Sequence, residues 1–412
     1  MIASCAGSQC DDGLGPELAG RYDASLAGAD TLVTGLMDRF PTAEVILRST
    51  TFPAFLILGL LGCGNAPVGA ASQQEKVVQD WETDPPLWTP RPILIPRIGR
   101  LIAAVDSAPH SPKADSATAG THSKATTPGA TKGFPFLLSA RDSARWPVKG
   151  PEPLPGAVLP DHRVVAFYGN PLSKRMGILG EIDPDEMLRR LEETATDWAA
   201  ADSGQKVLPA LHLIATVAQG YPGPARKYRL QMPDSVIEKV ANWAEKRGWL
   251  LILDIQTGLS TVDQELPVLL PYLKRPYVHL ALDPEFAMKD GKRPGTDWMG
   301  RMDASEVNHA IDVLAKIVKD QDLPPKMLVV HRFTRNMLTN AEHIRLDPRV
   351  QVVIDMDGYG PPANKMAAYK WFVVRHPVQY TGFKLFFKND KPMMTPDQVL
   401  GMYPQPLYIQ YQ

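Results

Sequence analysis

The chain has 412 residues, enough for two or three domains, but its composition changes sharply along its length. Its 44 Lys+Arg and 45 Asp+Glu residues nearly cancel to a formal charge of -1, with neither a basic stripe nor an acidic tail, which argues against a nucleic-acid partner. The three cysteines, Cys5, Cys10 and Cys63, all precede the region with a folding pattern, so no disulfide staples that region and its stability must come from a packed core.

Residues 1–36 show no apolar periodicity. The first distinctive element is Phe52 to Cys63, FPAFLILGLLGC, an apolar run preceded by Arg48. It is too short to span a bilayer as a permanent helix and has the build of a signal-peptide core, the alternative being a buried helix or strand. Secretory signals begin near the first residue, so a start at Met37 or near Val45 is expected. Leu60-Leu61-Gly62-Cys63 resembles the bacterial lipobox. That resemblance implies that Cys63 receives diacylglycerol, becomes the new N-terminus after cleavage, and holds the protein to the cell envelope outside the cytoplasm.

Residues 64–160 are rich in Pro, Ala, Ser, Thr and Gly, as in SAPHSPKADSATAGTHSKATTPGATKG. Such a stretch buries too little apolar surface to offset its ordering entropy and reads as a disordered stalk. The more apolar piece at 88–105 contains prolines that oppose a continuous helix.

From residue 161 to 412 short β-branched or aromatic runs alternate with amphipathic stretches of helical length. Strands are predicted at 164–169, 208–217, 250–256, 278–286, 326–333, 350–358, 382–388 and 407–412. Helices are predicted near 183–202, 232–248, 261–273, 304–323, 334–345, 363–375 and 395–402. Asp183-Pro184 and Thr395-Pro396 place a capping residue before a first-turn proline, and Gly248 suits a helix end. Strict alternation implies parallel strands joined by right-handed crossovers, and eight repeats in about 250 residues predict a single (β/α)8 barrel of the TIM type. No Gly-rich dinucleotide or P-loop fingerprint follows the first strand, so no nucleotide cofactor is expected.

In such a barrel the residues at the C-terminal ends of the strands converge on one mouth, and the period-two register names them. The third strand offers Asp254 and Gln256, the fourth Asp283 and Glu285, the sixth Asp355 and Asp357, the seventh Lys384 and Lys388, and the eighth Gln410 and Gln412. Tyr168, Thr216 and either His331 or Arg332 complete the ring. One such residue is ordinarily a cap or half of an ion pair; their convergence is the signal. Burying these carboxylates together is costly unless they are solvated, protonated or paired with Lys384, Lys388 and Arg332, which points to an accessible polar cleft.

The sharpest element is Asp283-Pro284-Glu285. If the strand continues through it, two carboxylates at i and i+2 point the same way roughly 6–7 Å apart, and one pKa rises as a general acid requires. Asp-x-Glu at the end of strand four resembles retaining barrel glycosidases of the chitinase-like and muramidase-like families, although the long chitinase signature of spaced acids is absent. The resemblance implies that Glu285 protonates the glycosidic oxygen, with Asp283, Asp355 or Asp357 as nucleophile, base or charge stabiliser. Tyr168, Asp254, Gln256, His331, Lys384, Lys388 and Gln410 would then bind a polysaccharide of the envelope or environment. The region is also similar to uncharacterised bacterial secreted or lipoprotein barrels that share ALDPE, VVH-x-F, D-x-DG, G-x-K-x-F and a final YQ, a likeness that brings no activity.

Trp298, Trp371, Tyr359 and Tyr221 offer faces for sugar stacking, with core or rim packing as the competing role. Two rival functions remain open. One is a non-catalytic carbohydrate- or peptidoglycan-binding barrel. The other is a metal-dependent phosphodiesterase drawing ligands from His212, His279 and His331 with Asp254 or Asp355, although no close-spaced ligand pair supports a metal and none is expected. A Ser-His-Asp hydrolase is disfavoured because no G-x-S-x-G elbow occurs.

Overall fold

A computed structural model describes Phe136 and residues 138–412. The apolar run, Cys63 and residues 64–135 of the expected stalk lie outside the described residues. Eight strands form the barrel: β1 His162–Gly169, β2 Lys206–Ala218, β3 Leu250–Ile255, β4 Val278–Leu282, β5 Lys326–His331, β6 Val350–Met356, β7 Tyr380–Leu385 and β8 Tyr408–Tyr411. Each runs parallel to its neighbour in chain order, and β1 pairs with both β2 and β8, which closes the sheet. The predicted (β/α)8 barrel is therefore the fold of residues 162–412. Strands such as β3, Leu-Leu-Ile-Leu-Asp-Ile, are buried along their whole length because one face meets the barrel interior and the other the helix layer.

The outer layer contains α1 Pro184–Ala201, α2 Asp234–Glu245, α3 Val262–Leu273, α4 Ala304–Gln321, α5 Pro362–Ala368, which continues into a π-helical turn at Tyr369–Val374, and α6 Pro396–Leu400. Helix α1 starts where Asp183 accepts hydrogen bonds from the amides of Asp185 and Glu186 and Pro184 occupies the first turn. Its apolar stripe, Met187, Leu188, Leu191, Ala195 and Trp198, packs onto the strands, and the Trp198 indole donates to the Tyr411 hydroxyl at 2.9 Å. Helix α4 starts with a capping box between Asp303 and Glu306.

Two expectations need correction. No helix fills 334–345. Leu338–Thr339 instead pairs with Met302–Asp303 as a short strand, and Ala341–His343 is a single 3-10 turn. The cause lies in Arg332, whose buried guanidinium donates hydrogen bonds to the carbonyls of Thr334, Arg335 and Leu338, groups that a helix would have used internally. Asn340 then adopts a left-handed conformation at φ 54°.

The structured boundary also lies upstream of residue 161, since residues 138–160 pack against the barrel. The Trp146 indole donates to the carbonyl of Val374, and Leu154 N to that of Pro348. Val158 N and Leu159 N both donate to Gln351 Oε1, while Gln351 Nε2 donates back to Leu159 O. Leu159 thus closes the N-terminal end of the barrel, where it meets Val164, Ala166, Ala210, Ile252, Ala281, Val329 and Val353 in one apolar interior cluster. This filling leaves the polar residues stacked at the opposite, C-terminal end. Among the described residues no helix is long and apolar enough to cross a membrane.

Candidate functional site

Above the apolar layer every strand contributes one inward polar residue: Tyr168 from β1, His212 from β2, Asp254 from β3, Asp283 just past β4, His331 from β5, Asp355 from β6, Lys384 from β7 and Gln410 from β8. All eight are buried. Two positions further along, Gln256, Asp357 and Gln412 follow β3, β6 and β8 outward. The alternation that sends Ile252 into the apolar cluster sends Asp254 into the polar one, so a single register explains both layers.

The contacts centre on two imidazoles. Asp254 Oδ2 lies 3.6 Å from His212 Nε2 and 3.6 Å from His331 Nε2, too far for a hydrogen bond in either case. On the other side of its ring, His331 Nδ1 lies 3.0 Å from Asp357 Oδ2 and 3.5 Å from Asp355 Oδ2. His212 Nδ1 lies 2.7 Å from the Tyr408 hydroxyl and 2.7 Å from Gln410 Nε2. Asp357 Oδ1 accepts from Lys384 Nζ at 2.8 Å, and that ammonium sits 3.9 Å from the centre of the Tyr168 ring. Gln256 Nε2 donates to Tyr168 Oη and to Asp283 Oδ2, each at 3.2 Å.

Burial and charge divide the four buried carboxylates into two kinds. Burial pushes Asp283 up to about 7, with the neighbouring Asp254 and Asp357 charges adding to it and His331 opposing. Burial likewise carries Asp355 up to about 7 against the pull of His331 and Lys384. Burial also acts on Asp357, but Lys384 and His331 more than offset it and hold that carboxyl below its usual range. Asp254 is held low in the same way by His212 and His331. Burial takes His212 down to about 4, whereas His331, with Asp357 and Asp254 on either side, rises well above its ordinary value in spite of its burial. Two acids raised to about 7 thus sit beside two held low, a division of the kind acid/base chemistry uses.

Two features position this layer. Gly382 of β7 faces Asp355, and a Cβ there would lie 2.6 Å from Asp355 Oδ1 and 3.1 Å from both Asp355 Cβ and Tyr408 Cδ1. Gly382→Ala should therefore cost about 1–3 kcal/mol of stability as an overpacked interior, measured by urea unfolding, and an unchanged midpoint would contradict this packing. Behind the mouth, the buried Lys365 ammonium donates to the carbonyls of Gly358 and Lys384, each at 2.7 Å, and pairs with Asp390 Oδ2 at 2.9 Å. It ties the segment after Asp357 to the strand that carries Lys384.

The sequence-predicted residues fall into three groups. Tyr168, Asp254, Gln256, Asp283, His331, Asp355, Asp357, Lys384 and Gln410 come together. Lys388 does not join them: its ammonium lies on the exposed rim and pairs with Glu181 at 2.6 Å. Arg332 turns out of the barrel to its own loop, so His331 is the inward member of that pair. The geometry expected for Asp283 and Glu285 needs correction. Strand β4 ends at Leu282, and Asp283 caps a 3-10 turn at Pro284–Phe286 by accepting from Glu285 N at 3.1 Å. The two side chains are therefore not strand neighbours on one face: Asp283 is buried and Glu285 is half-buried. The charge of Glu285 acts weakly on Tyr168 and Tyr359, raising both. The register put Tyr408 on the inward face of β8 but gave it no role, and His212 appeared only among the ligands of a rival reading. The alternation Ala210, His212 in β2 was the available signal for the second.

No protein-family model matches the chain, and no curated protein matches it. Among solved structures, one titled as a ruminal GH26 endo-beta-1,4-mannanase aligns with a TM-score of 0.30 and 10% identity, covering 61% of this chain and 58% of that chain. A similarity that low carries no argument about chemistry, and the fold rests on the closed ladder of eight parallel strands described above.

Proposed function

We propose that this barrel hydrolyses glycosidic bonds in an envelope or environmental polysaccharide, with Glu285 as proton donor and Asp357 as its anionic partner. The observation that carries this reading is the placement of Asp357 at the edge of the buried layer. Its carboxylate is clamped by Lys384 at 2.8 Å and His331 at 3.0 Å, and it is the most exposed of the four carboxylates Asp254, Asp283, Asp355 and Asp357, at 9%. Glu285 would give its proton to the departing sugar oxygen as the C–O bond breaks. Asp357 would attack the anomeric carbon or take the proton of the incoming water. Tyr168, Asp254, Gln256, His331, Lys384 and Gln410 would hold this pair and the sugar hydroxyls in register, with Tyr359 as an aromatic wall. Lys388 would meet only the outer part of a long polymer. The lipobox-like sequence at Cys63 supports a tethered location outside the cytoplasm.

The test compares the full chain with Glu285→Gln on bacterial cell-wall, plant and fungal polysaccharides, by reducing ends released. Release by the parent and a loss of about 10²–10⁴-fold in the variant is the expected result, the range for removing a general acid. Binding of one polymer by both proteins without any release would replace this reading with a carbohydrate-binding barrel.

A further inference from the structure

Among the described residues, the buried polar layer holds several atoms without a hydrogen bond, His212 Nε2, both oxygens of Asp254 and of Asp355, both ring nitrogens of His331 and Gln410 Oε1. Three of them point at one another. His212 Nε2, a carboxylate oxygen of Asp254 and His331 Nε2 all lie within 4.8 Å of one another, with Asp254 Oδ2 at 3.6 Å from each imidazole nitrogen. Polar atoms that meet to make a hydrogen bond approach to about 2.7–3.2 Å, so this spacing fails as direct pairing. It does suit shared ligation. Ligands about 2.0–2.1 Å from a tetrahedral ion are separated by edges of about 3.3–3.4 Å.

The outer faces of both rings agree. His212 Nδ1 is hydrogen-bonded to the Tyr408 hydroxyl at 2.7 Å, while His331 Nδ1 lies at ion-pair distance, 3.0 Å, from Asp357 Oδ2 without a hydrogen bond there. On His212 this presents Nε2 as the lone pair, the arrangement by which a neighbouring hydroxyl orients a metal-binding histidine, and on His331 the carboxylate lies on the side of the ring away from Asp254. Gln410 Nε2 also lies 2.7 Å from His212 Nδ1, and an amide turned over about its last bond would set Oε1 there as a second acceptor. The other nearby candidates are excluded by geometry. His279 and Asp355 are not in the group whose ligand atoms converge, and Asp355 meets His331 on its Nδ1 side rather than at Nε2.

We propose that His212, Asp254 and His331 form a binding site for one divalent first-row transition ion, with zinc the best match to two imidazoles and one carboxylate. Three protein ligands leave a coordination position open, the composition of a reactive rather than a purely structural site. The site does not depend on glycan hydrolysis by Glu285 and Asp357.

The experiment uses the full chain, stripped with a chelator and titrated separately with Zn²⁺, Co²⁺ and Mn²⁺. Bound metal is read by mass spectrometry of the desalted protein, and cobalt coordination by visible absorption. One equivalent of zinc, and cobalt bands of a four-coordinate nitrogen and oxygen site, are expected. Asp254→Asn and His212→Gln should each weaken zinc by at least about 100-fold, and Tyr408→Phe, which touches only the outer nitrogen, by about 10-fold. Absence of bound metal in the parent, or zinc held equally by Asp254→Asn, would overturn the proposal. If a variant fails to fold, the cobalt spectrum of the parent decides, since thiolate-type bands are incompatible with this ligand set.

Discussion

Asp357→Asn is expected to reduce turnover by about 10²–10⁴-fold on whichever glycan the parent chain cleaves, with KM changed by much less. The side chain keeps its size, and an amide oxygen can still accept from Lys384, so the change removes the charge that serves the reaction rather than the shape of the site. It also leaves Lys384 and His331 facing a neutral group where they met a carboxylate at 2.8 and 3.0 Å. Kinetic constants should be measured alongside a thermal melt, which separates lost chemistry from lost fold. Turnover within about threefold of the parent in a variant that melts normally would remove Asp357 from the reaction and leave Glu285 without its partner.

Asp390→Ala should destabilise the barrel by about 3–5 kcal/mol, the cost of leaving a buried charge unpaired. Both side chains of the Lys365–Asp390 pair are fully buried. Asp390 further accepts from Gly360 N at 2.8 Å and Phe386 N at 2.9 Å, so alanine orphans two amides as well as an ammonium. Burial already pulls the Lys365 ammonium below its usual value, with Asp390 opposing that pull. Adding Lys365→Met should restore part of the loss, because the uncompensated charge is gone, but not all of it, because both amides stay unpaired. Urea unfolding of the two single variants and the double variant measures this. A loss under about 1 kcal/mol in Asp390→Ala would mean that the pair does not brace the segments after β6 and β7.

The architecture was readable because each barrel strand carries its own evidence. Runs such as LLILDI and VQVVIDM are rich in Leu or in β-branched Val and Ile, with polar residues confined to one face, and eight such runs separated by helical stretches leave few folds open. That register also identified Asp254, Asp355, Lys384 and Gln410 as one layer. Less legible was anything that depends on a distant partner. Whether 334–345 becomes a helix is decided by the Arg332 guanidinium, which competes for carbonyls that local propensity assigns to the helix. His212 gains its place through Tyr408 and Asp254, 196 and 42 positions away, and Lys365 through Asp390 on the next strand's loop. The end of β4 was a different kind of miss. Asp283-Pro284 is the same cap-and-proline signal that was read at Asp183-Pro184, and it stops a strand here as it starts a helix there.

Residues 138–160 bond to the segments leading into β6, β7 and β8 and to Gln351. A fragment cut at residue 161 would strip the Gln351 amide and the Val374 carbonyl of these partners, so an excised barrel keeps its full packing only if it begins before residue 138.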